Sequence, residues 1–471
     1  MIAESITIKL PSGATIVLND QQVEAHRRIL DWLADKSGPL FFTLSGYAGT
    51  GKTTITKHVI QEWKTLNRYS SVAVSAPTHK ARKVIKRATG ESSHTVQSLL
   101  GLRPDTDLED FDINKPTFDA KAEKLIQSYR FLVIDEASML NADLFELIVA
   151  EAAKSKTKVL FMGDEAQLPP VKEGISRIFT HVPDKIQLTK VERQAGSNPL
   201  MGVYDLIRSD IASPSDLFQH VSATNEAGEG ITFFDKINDF DEAVLPLFAS
   251  QEYHADPDYI KLIAYTNESV KVWNKKIRDH LYNTPTVPVL VGDVLFAYNT
   301  VSLERDQPLI ENSSDYVVRE VRESKTSFGV DCYAVRLQSV DELTNSYVNI
   351  VRKTGLTKFL TEFHKLHDKA KAAPKGTYFR KNAWRIYYSF KAQHVLLSDI
   401  MQDGRKVVKK DIDYGYAITC HKSQGSTFTY VAVSENNLDL NGNNEERNKL
   451  KYVAFSRPTR RAIVFSNKTK Q

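Results

Sequence analysis

The sequence predicts an α/β protein with two parallel-sheet lobes, and three observations support this fold class. Short runs rich in Val, Ile and Phe alternate with stretches of helical apolar spacing, as in parallel strands joined by helices. This alternation occurs in two long stretches, separated by a segment of different character at residues 286–410. The length of 471 residues also exceeds what one core of ordinary size accommodates.

The first stretch is predicted to form a lobe over residues 1–198. Its strands are the runs FFTLSG, SVAVSAPT, FLVIDEAS, VLFMGDEAQ and IQLTKVER. The segments between them, TTITKHVIQEWKTL, HKARKVIKRAT and ADLFELIVAEAAK, have the spacing of amphipathic helices that pack on a sheet. Residues 102–120 carry acids, prolines and turn formers, which predicts a small hairpin or loop inserted into this lobe.

The second lobe is predicted from residues 199–285 and 411–471 together. It begins with a helix through LMGVYDLIRS and the strand YIKLIAYTN, and it resumes with YAITCHKSQG, YVAVSEN, a helix through RNKLKYVAFS and the strand RAIVFS. Residues 286–410 start with strand-like runs, pass through the basic segment KFLTEFHKLHDKAKAAPKG and reach the aromatic cluster YFRKNAWRIYYSF. This region is expected to be a β-rich inserted domain with a helical or extended arm.

Composition excludes several classes of protein. Hydrophobic residues make up 41% and charged residues 25%, far from disordered or collagen-like chains, and a net charge of +4 does not by itself indicate a polyanionic partner. Cys332 and Cys420 lie far apart, which argues against a disulfide scaffold. No apolar export signal and no apolar stretch of membrane-spanning length is present, so a soluble, cytoplasmic protein is predicted.

The motif GYAGTGKT, residues 46–53, follows an apolar run and opens a helical one, which is the context of a phosphate-binding loop. Its glycines let backbone amides surround a phosphate chain, and the helix terminus adds a favourable dipole. We expect Lys52 to reach the β and γ phosphates of ATP and the Thr53 hydroxyl to bind Mg²⁺. A coincidental glycine turn is the alternative. The predicted nucleotide contacts are Gly46, Ala48, Gly49, Thr50, Gly51, Lys52, Thr53 and Thr54.

Two carboxylates follow the predicted strand FLVI. A parallel strand delivers the side chains after its end to the crevice above the sheet. Asp135 is therefore expected to hold Mg²⁺, and Glu136 to polarise the attacking water for in-line transfer of the γ-phosphoryl group. An Asp-Glu pair alone usually marks a solvated turn, and it is the preceding phosphate-binding loop that favours the catalytic interpretation.

Further candidates surround the γ-phosphate. Gln167 follows the strand VLFM in GDEAQLPPV and is expected to contact this phosphate, although a strand-ending turn stopped by prolines explains the motif equally well. Charge that develops during hydrolysis requires cations, and an arginine from a second lobe couples hydrolysis to lobe closure. Arg193 and Arg457 are the candidates, and each has the alternative of an ordinary surface arginine.

The ordered motifs resemble those of superfamily 1 DNA helicases. They are GYAGTGKT, APTHKAR, IDEAS, GDEAQLPPV, VERQ, YTN, YAITCHKSQGSTF and YVAFSR. APTHKA, HTVQSLL and YAITCHKSQG are similar to the branch that moves 5′ to 3′, superfamily 1B of the RecD and Dda type. The resemblance implies two RecA-like P-loop lobes, with a wedge insertion in the first and an SH3-like β-barrel domain inserted in the second.

The resemblance also implies roles for individual residues. Gln22 in LNDQQ would read the adenine base, with Gln21 its neighbour, and Gly425 would lie close to the γ-phosphate. Lys52, Glu136 and Gln167 would be catalytic, with Arg193 and Arg457 as arginine fingers. The nucleic-acid track would consist of Pro77, Thr78, His79, His94, Thr95 and Ser98 on the first lobe and of Asn267, Thr419, His421 and Lys422 on the second. Such hydroxyls, imidazoles and lysines contact phosphates without reading bases.

The accessory parts carry less of the resemblance. An aromatic at Phe111 or Phe118 would form the wedge that splits the duplex, and Trp384 in the aromatic cluster would guide single-stranded DNA or brace the wedge. Each aromatic has the alternative of packing within its own segment. The basic run KLHDKAKAAPKG has the alternative of a solvated face.

The predicted function is that of an ATP-dependent, Mg²⁺-requiring helicase that acts as a monomer on single-stranded and forked DNA. The expected processes are DNA replication, recombination and repair. Single-strand-binding or replication proteins are expected as partners, and the host cytoplasm is the expected location if the chain is phage-encoded. Two alternatives stay open: a translocase that displaces bound proteins without unwinding, and a nucleic-acid clamp that binds nucleotide without hydrolysing it.

Overall fold

The computed structural model describes residues 6–9, 15–67, 71–102, 124–170, 173–191, 198–212, 218–304, 307–402 and 404–468. A parallel sheet forms the centre of the first part of the chain. A short antiparallel pair, β1 (Thr7–Lys9) and β2 (Thr15–Val17), precedes it. The strands of the sheet are β3 (Phe41–Gly46), β4 (Val72–Ala76), β5 (Ser92–Thr95), β6 (Phe131–Ile134), β7 (Lys158–Gly163) and β8 (Lys185–Leu188).

These strands are parallel and run in the spatial order β5-β4-β6-β7-β3-β8. Strands β4, β6 and β7 are buried along their whole length because helices cover both faces, which explains their continuous apolar sequences. The helices are α1 (Asp20–Ala34), α2 (Lys52–Leu66), α3 (His79–Thr89), α4 (Val96–Leu100), α5 (Ala142–Ser155) and α6 (Arg177–Thr180).

Local sequence signals fix where two of these helices begin and end. Helix α1 starts with a capping box, in which the Asn19 and Gln22 side chains each accept the backbone N–H of the other residue. Helix α3 is capped by Thr78 and ends before Gly90, whose φ of +76° favours glycine. Both helices therefore begin beside residues that the sequence singles out for ATP or DNA.

The chain continues into a second α/β region. Its first elements are α7 (Leu200–Ala212), β9 (Ala223–Thr224), β10 (Gly230–Phe234), α8 (Ile237–Phe248), α9 (Gln251–Ala255), β11 (Ile260–Ala264) and α10 (Asn267–Tyr282). Strand β11 is buried along its whole length. Helix α10 packs Val270, Trp273 and Ile277 into the same core.

An antiparallel sheet then interrupts this region. The elements are β12 (Val294–Ala297), β13 (Val301–Glu304), β14 (Gln307–Ile310), β15 (Asp315–Lys325), β16 (Asp331–Ser339), β17 (Asn345–Val351), α11 (Leu356–Ala372), α12 (Tyr378–Gln393), β18 (Ile400–Gln402), β19 (Arg405–Val408) and β20 (Ile412–Tyr414). The sheet has the order β17-β16-β15-β12-β20. The basic and aromatic segments form α11 and α12, which pack through stacked Phe359 and Phe390 rings 5.4 Å apart.

The last elements complete the second parallel sheet. They are β21 (Ala417–Thr419), β22 (Phe428–Ser434), α13 (Glu435–Leu438), α14 (Asn444–Phe455) and β23 (Pro458–Phe465). The order is β21-β11-β22-β23-β10-β9, parallel apart from β9. The predicted mixed α/β fold with a parallel-sheet core beneath the phosphate-binding loop is thus confirmed.

Cys332 and Cys420 are both buried and unbridged. None of the helices in the described ranges combines the length and the hydropathy that a bilayer crossing requires.

Candidate functional site

The glycine-rich loop connects β3 directly to α2, as the motif predicts. Gly46 ends the strand, and a Cβ there would lie 2.9 Å from both the Cβ and the carbonyl oxygen of Leu188, so glycine alone fits. Gly51 has a φ of +86° and precedes α2, which begins at Lys52. The Lys52 ammonium group donates to the carbonyls of Gly46 and Tyr47 at the mouth of the loop. Backbone N–H groups and one lysine therefore converge where a phosphate chain would bind.

The glutamines of LNDQQ connect α1 to the loop and to β8. Gln22 is buried, and its amide nitrogen donates to the Thr50 carbonyl at 3.0 Å while its oxygen accepts from Asn19. Gln21 bonds Thr189, with its amide nitrogen 2.9 Å from the hydroxyl oxygen. Both polar ends of Gln22 thus already have protein partners, and contact with an adenine base stays a prediction.

Asp135 and Glu136 follow β6 at the same edge of the sheet as the loop. The Glu136 N–H donates to Asp135 Oδ1 at 2.8 Å, and Glu136 has a φ of +50°, a left-handed conformation that is strained for a non-glycine residue. Burial raises the pKa of both carboxyls, and Asp135 adds to the rise for Glu136, whereas Arg457 and Lys52 oppose it. Two carboxylates held among cations form a site suited to a hard cation and an activated water.

Gln167 lies at the end of β7 beside a hydrogen-bond network that crosses between the two parallel sheets. Its Oε1 atom is buried and has no hydrogen-bond partner among the described residues. The Tyr452 hydroxyl on α14 donates to Asp164 Oδ2 at 2.8 Å and accepts from the Ala48 N–H at 3.3 Å. Sequence reasoning missed Asp164 and Tyr452, although both lie inside quoted motifs, GDEAQ and YVAFSR.

Residues of the second sheet reach the carboxylates of the first. Arg457 is 5% exposed and donates to the carbonyls of Val453 and Ser426, and its charge opposes the raised pKa of Glu136. Gly425 has a φ of +72°, and a Cβ there would lie 3.7 Å from Glu136 Cγ. The same Cβ would lie 3.1 Å from the Ala81 Cβ on α3, closer than ordinary contact, so glycine lets this segment approach the first region closely. Arg457, Gly425 and Glu136 are thus brought to one cleft.

Besides Arg457, Arg208 on α7 also faces the phosphate-binding loop. The Arg208 guanidinium lies 4.1 Å from the centre of the Tyr47 ring, and its side chain is 10% exposed. Its Nη1 atom is buried without a hydrogen-bond partner in the described part of the chain. Nothing in the helical pattern of LMGVYDLIRS marked this residue, because the contact depends on how α7 packs.

The residues of the first lobe predicted to contact DNA follow β4 and β5. These strands pair in parallel with Ala76 opposite Thr95, so their carboxyl ends meet at one edge. The Thr78 and Thr95 hydroxyls each accept a backbone N–H at 3.2 Å, from Ala81 and Ser98 respectively, which caps α3 and α4. The structure brings together here Pro77, Thr78, His79, His94, Thr95 and Ser98.

The two histidines of this group already contact other side chains. His94 Nε2 lies 2.6 Å from the Tyr129 hydroxyl, and burial lowers the pKa of His94. His79 Nδ1 lies 3.2 Å from Glu311 Oε1, directly after β14, which pairs with β13 in a separate two-stranded sheet. A phosphate that contacted either imidazole would compete with these partners, and the DNA role of both stays a prediction.

The corresponding residues of the second lobe follow β11 and β21. These strands are parallel, with Ala264 opposite Thr419, so the two strand ends are adjacent. The Thr419 hydroxyl accepts the Lys422 N–H at 3.3 Å, and His421 and Lys422 lie in a short 3-10 turn. Asn267 is the first residue of α10, directly after β11. The predicted residues of both lobes therefore lie at the carboxyl ends of parallel strands.

Helix α3 joins the first lobe to the rest of the molecule through buried ion pairs. Lys80 Nζ lies 2.8 Å from Asp258 Oδ1 and 3.6 Å from Asp315 Oδ2. Lys83 Nζ lies 2.7 Å from Glu311 Oε2, and its side chain is 4% exposed. The basic residues of HKARKVIKRAT thus include two that are buried against acids of distant segments.

Three predicted residues, Phe111, Phe118 and Arg193, lie outside the described residues. Trp384 lies on α12, where its ring stacks on Tyr388 at 5.7 Å and meets Tyr387 edge-on at 5.4 Å. This aromatic cluster belongs to the helical arm of the inserted region.

The fold and the site together define a P-loop ATPase in which two parallel sheets face one nucleotide site. Two family models match the chain. The model described as "AAA domain" covers residues 17–223, and the one described as "UvrD-like helicase C-terminal domain" covers residues 414–465. The first match contains all six strands of the first parallel sheet, and the second contains β21, β22 and β23 of the second sheet.

Curated relatives of the chain include two ATP-dependent DNA helicases. "Uncharacterized protein R530" of Acanthamoeba polyphaga mimivirus is 22% identical over 94% of this chain and 99% of its own length. "ATP-dependent DNA helicase dda" of Enterobacteria phage T4 is 27% identical over 54% of this chain and 55% of its own. "ATP-dependent RecD2 DNA helicase" of Deinococcus radiodurans is 33% identical over 41% of this chain and 24% of its own. The latter two matches thus span about half and a quarter of those proteins.

Solved structures of Pif1 helicases share the fold. The Bacteroides Pif1 complex with ADP-AlF3 and ssDNA has a TM-score of 0.51 at 17% identity, over 97% of this chain and 94% of that one. Pif1 from Candida albicans has a TM-score of 0.50 at 17% identity, over 97% of both chains. Together, the two family models and the curated relatives support an ATP-dependent DNA helicase of superfamily 1B, similar to the RecD, Dda and Pif1 proteins.

Proposed function

We propose that the chain hydrolyses Mg-ATP in the cleft between two RecA-like lobes, moves 5′ to 3′ on single-stranded DNA and unwinds duplex. One observation carries the proposal: Arg457 and Gly425 of the second sheet region meet Glu136 of the first. In this cleft one lobe supplies the carboxylates and the other lobe supplies a cation. The γ-phosphate would therefore be contacted from both sides. Its closure and opening then follow the nucleotide state.

The residues of the cleft suit Mg-ATP. The loop amides and Lys52 would hold the phosphates, and Thr53 with Asp135 would hold Mg²⁺, which neutralises charge on the β and γ oxygens. Glu136 is the candidate base for the attacking water. The unpartnered Oε1 of buried Gln167 suits an amide that orients this water or reports the γ-phosphate.

The DNA track is proposed to lie across the carboxyl ends of both sheets. Thr78 on one side and Thr419 with His421 on the other follow parallel strands, and both groups lie beside helix or turn starts whose N–H groups favour phosphates. Contacts to the backbone alone suit a motor that passes any sequence. Alternating grip by the two groups would convert each ATP cycle into one directional step.

Helix α3 offers a mechanical link between this track and the second lobe. It starts beside Thr78, and its buried lysines pair with Asp258, Asp315 and Glu311. Separating a buried ion pair leaves charges without compensation and costs about 3–5 kcal/mol when one partner is lost. Opening of the cleft would therefore have to compete with these pairs, so the state of the cleft and the position of the track are proposed to change together.

The inserted antiparallel sheet is proposed to be the SH3-like barrel domain of this branch, and residues 102–120 the wedge. The α11 and α12 arm with Trp384 would guide the displaced strand or brace the wedge. Support comes from the position of the sheet between the two parts of the second lobe and from its contact with α3 through the Lys80–Asp315 ion pair. A monomer is proposed as the active form, with single-strand-binding or replication proteins as further partners.

The direction of travel is tested with duplexes that carry one single-stranded tail. We expect ATP-dependent unwinding of the duplex with a 5′ tail and none of the blunt or 3′-tailed duplex, measured by separation of a fluorophore and quencher. Activity on the 3′ tail alone would overturn the direction. ATPase stimulated by single strands without opening of any fork would instead indicate a translocase that displaces bound proteins.

The wedge is tested by Phe111→Ala and Phe118→Ala. Loss of a stacked base is worth roughly 1–3 kcal/mol, so the effective variant is expected to unwind about five- to a hundredfold more slowly while single-strand-stimulated ATPase stays the same. Tyr347→Ala, at an aromatic on β17 that is 70% exposed, is the control. Unchanged unwinding in both phenylalanine variants would remove this assignment.

A further inference from the structure

Three potential metal ligands converge between α1 and α2, outside the nucleotide site. His26 on α1 faces His58 and Glu62, which lie one turn apart on α2. His26 is 4% exposed, whereas the His58 and Glu62 side chains are 25% and 42% exposed. The group therefore has a buried floor and an opening to solvent. In the described part of the chain, this is the group of three His, Cys, Asp or Glu residues in which each ligand atom lies within 4.8 Å of the other two.

The distances between the ligand atoms fit one transition-metal ion. His26 Nε2 lies 2.8 Å from His58 Nδ1 and 3.1 Å from Glu62 Oε2, and the last two atoms are 3.9 Å apart. A point in the plane of the three atoms lies about 2.0 Å from each of them, which matches zinc distances to imidazole nitrogen and carboxylate oxygen of about 2.0–2.2 Å. The angle at this point between His58 Nδ1 and Glu62 Oε2 is roughly 165°, so the three atoms suit an ion with five or six ligands and would have to shift for a tetrahedral one. Two imidazoles and one carboxylate are a donor set that leaves a further position open to water.

The three atoms can be held together either by a proton on His26 Nε2 or by a metal ion. Neutral His26 carries either a proton or a lone pair at Nε2. With a proton, it donates to the lone pair of His58 Nδ1, to the Glu62 carboxylate or to both; with a lone pair, it accepts from His58 and faces the Glu62 carboxylate at 3.1 Å. A cation between the three atoms satisfies all of them at once.

We propose that His26, His58 and Glu62 form a binding site for a divalent transition metal, with Zn²⁺ as the best-fitting ion. The ion would connect the two helices that carry the nucleotide residues. His26 lies one turn beyond Gln22, whose amide bonds the Thr50 carbonyl, and His58 lies on the helix that begins at Lys52. Metal binding would thus hold α1 and its LNDQQ segment against the phosphate-binding loop.

The test measures Zn²⁺ binding to the untagged full-length chain by calorimetry, without nucleotide and with excess Mg²⁺ to occupy the Thr53 and Asp135 site. One Zn²⁺ per chain is expected for the unaltered protein. His58→Gln and Glu62→Gln are each expected to weaken this binding by at least about tenfold, because each removes a ligand from a partly exposed position where the fold tolerates change. His254→Gln, at an exposed histidine of α9, is the matched control and is expected to bind normally.

Two further readouts separate a built site from adventitious binding. Co²⁺ is expected to give the visible absorption of a low-symmetry nitrogen and oxygen site in the unaltered protein and in His254→Gln, and to lose it in the two ligand variants. Zn²⁺ is expected to raise the unfolding temperature of the same two proteins only. Failure to bind one Zn²⁺, or equal affinity in all variants, would overturn the proposal. Neither outcome depends on ATPase or unwinding activity.

Discussion

Replacing Arg457 by alanine is expected to lower the ATPase kcat by about 10³–10⁵, the range for loss of an arginine finger in phosphoryl transfer. Arg457 is buried in the cleft, where its charge acts on Glu136 and its guanidinium is oriented by the carbonyls of Val453 and Ser426. This orientation is in place before charge develops on the γ-phosphate, so the lost stabilisation falls mainly on the transition state. Single-turnover hydrolysis at saturating ATP measures it.

Two controls distinguish this role from a structural one. Arg460→Ala removes an exposed arginine three residues away, on the following strand β23, and is expected to leave kcat within about twofold. Arg457→Lys keeps the charge without the planar fork and is expected to fall between the two. A normal kcat for Arg457→Ala in a chain with unchanged unfolding temperature would remove Arg457 from the site. If Arg457→Ala instead weakens ATP binding and leaves kcat unchanged, Arg457 stabilises bound ATP and not the transition state.

Replacing Lys52 by alanine is expected to abolish detectable ATP hydrolysis, with a fall of at least about 10²-fold in kcat. Its ammonium group lies at the mouth of the loop, where it donates to the carbonyls of Gly46 and Tyr47. A phosphate chain bound there would replace these acceptors with charged oxygens. Steady-state phosphate release measures the change, and fluorescence anisotropy with single-stranded DNA is expected to show binding that persists.

Lys57→Ala supplies the matched control for this variant. Lys57 lies on the same helix and is partly exposed, so its removal tests the loss of one positive charge from α2 without altering the loop. ATP hydrolysis is expected to stay near normal. Turnover of Lys52→Ala at the unaltered rate would contradict the assignment of the nucleotide site.

Sequence patterns were sufficient for the loop, the acidic pair and the parallel sheets. GYAGTGKT dictates its own geometry because positive φ at Gly49 and Gly51 is a local property of glycine. The strands FLVI and VLFM were predictable because burial on both faces leaves no room for polar alternation. The position of Asp135 followed from its strand, since the residue after a parallel strand enters the crevice, whereas Gln167 lies four residues beyond the end of β7.

Other features depend on contacts between segments that are distant in sequence. The histidine in APTHKAR faces Glu311, and Lys80 of the same helix is buried against Asp258 and Asp315, which no local pattern indicates. Arg208 reached the loop only through the packing of α7. The sequence of the basic arm is compatible with a helical and with an extended form, and the packing of α11 on α12 through Phe359 and Phe390 selects the helical one.

The sequence by itself determined the class of chemistry. Glycines, a lysine and carboxylates at fixed spacing after apolar strands specify a phosphate site through short-range sterics and hydrogen bonding. Only the tertiary structure decided which cations reach that site, which basic residues are buried in ion pairs, and that His26 meets His58 and Glu62. These outcomes depend on the packing of helices from separate parts of the chain, and helical periodicity fixes which face is buried but not which partner it meets.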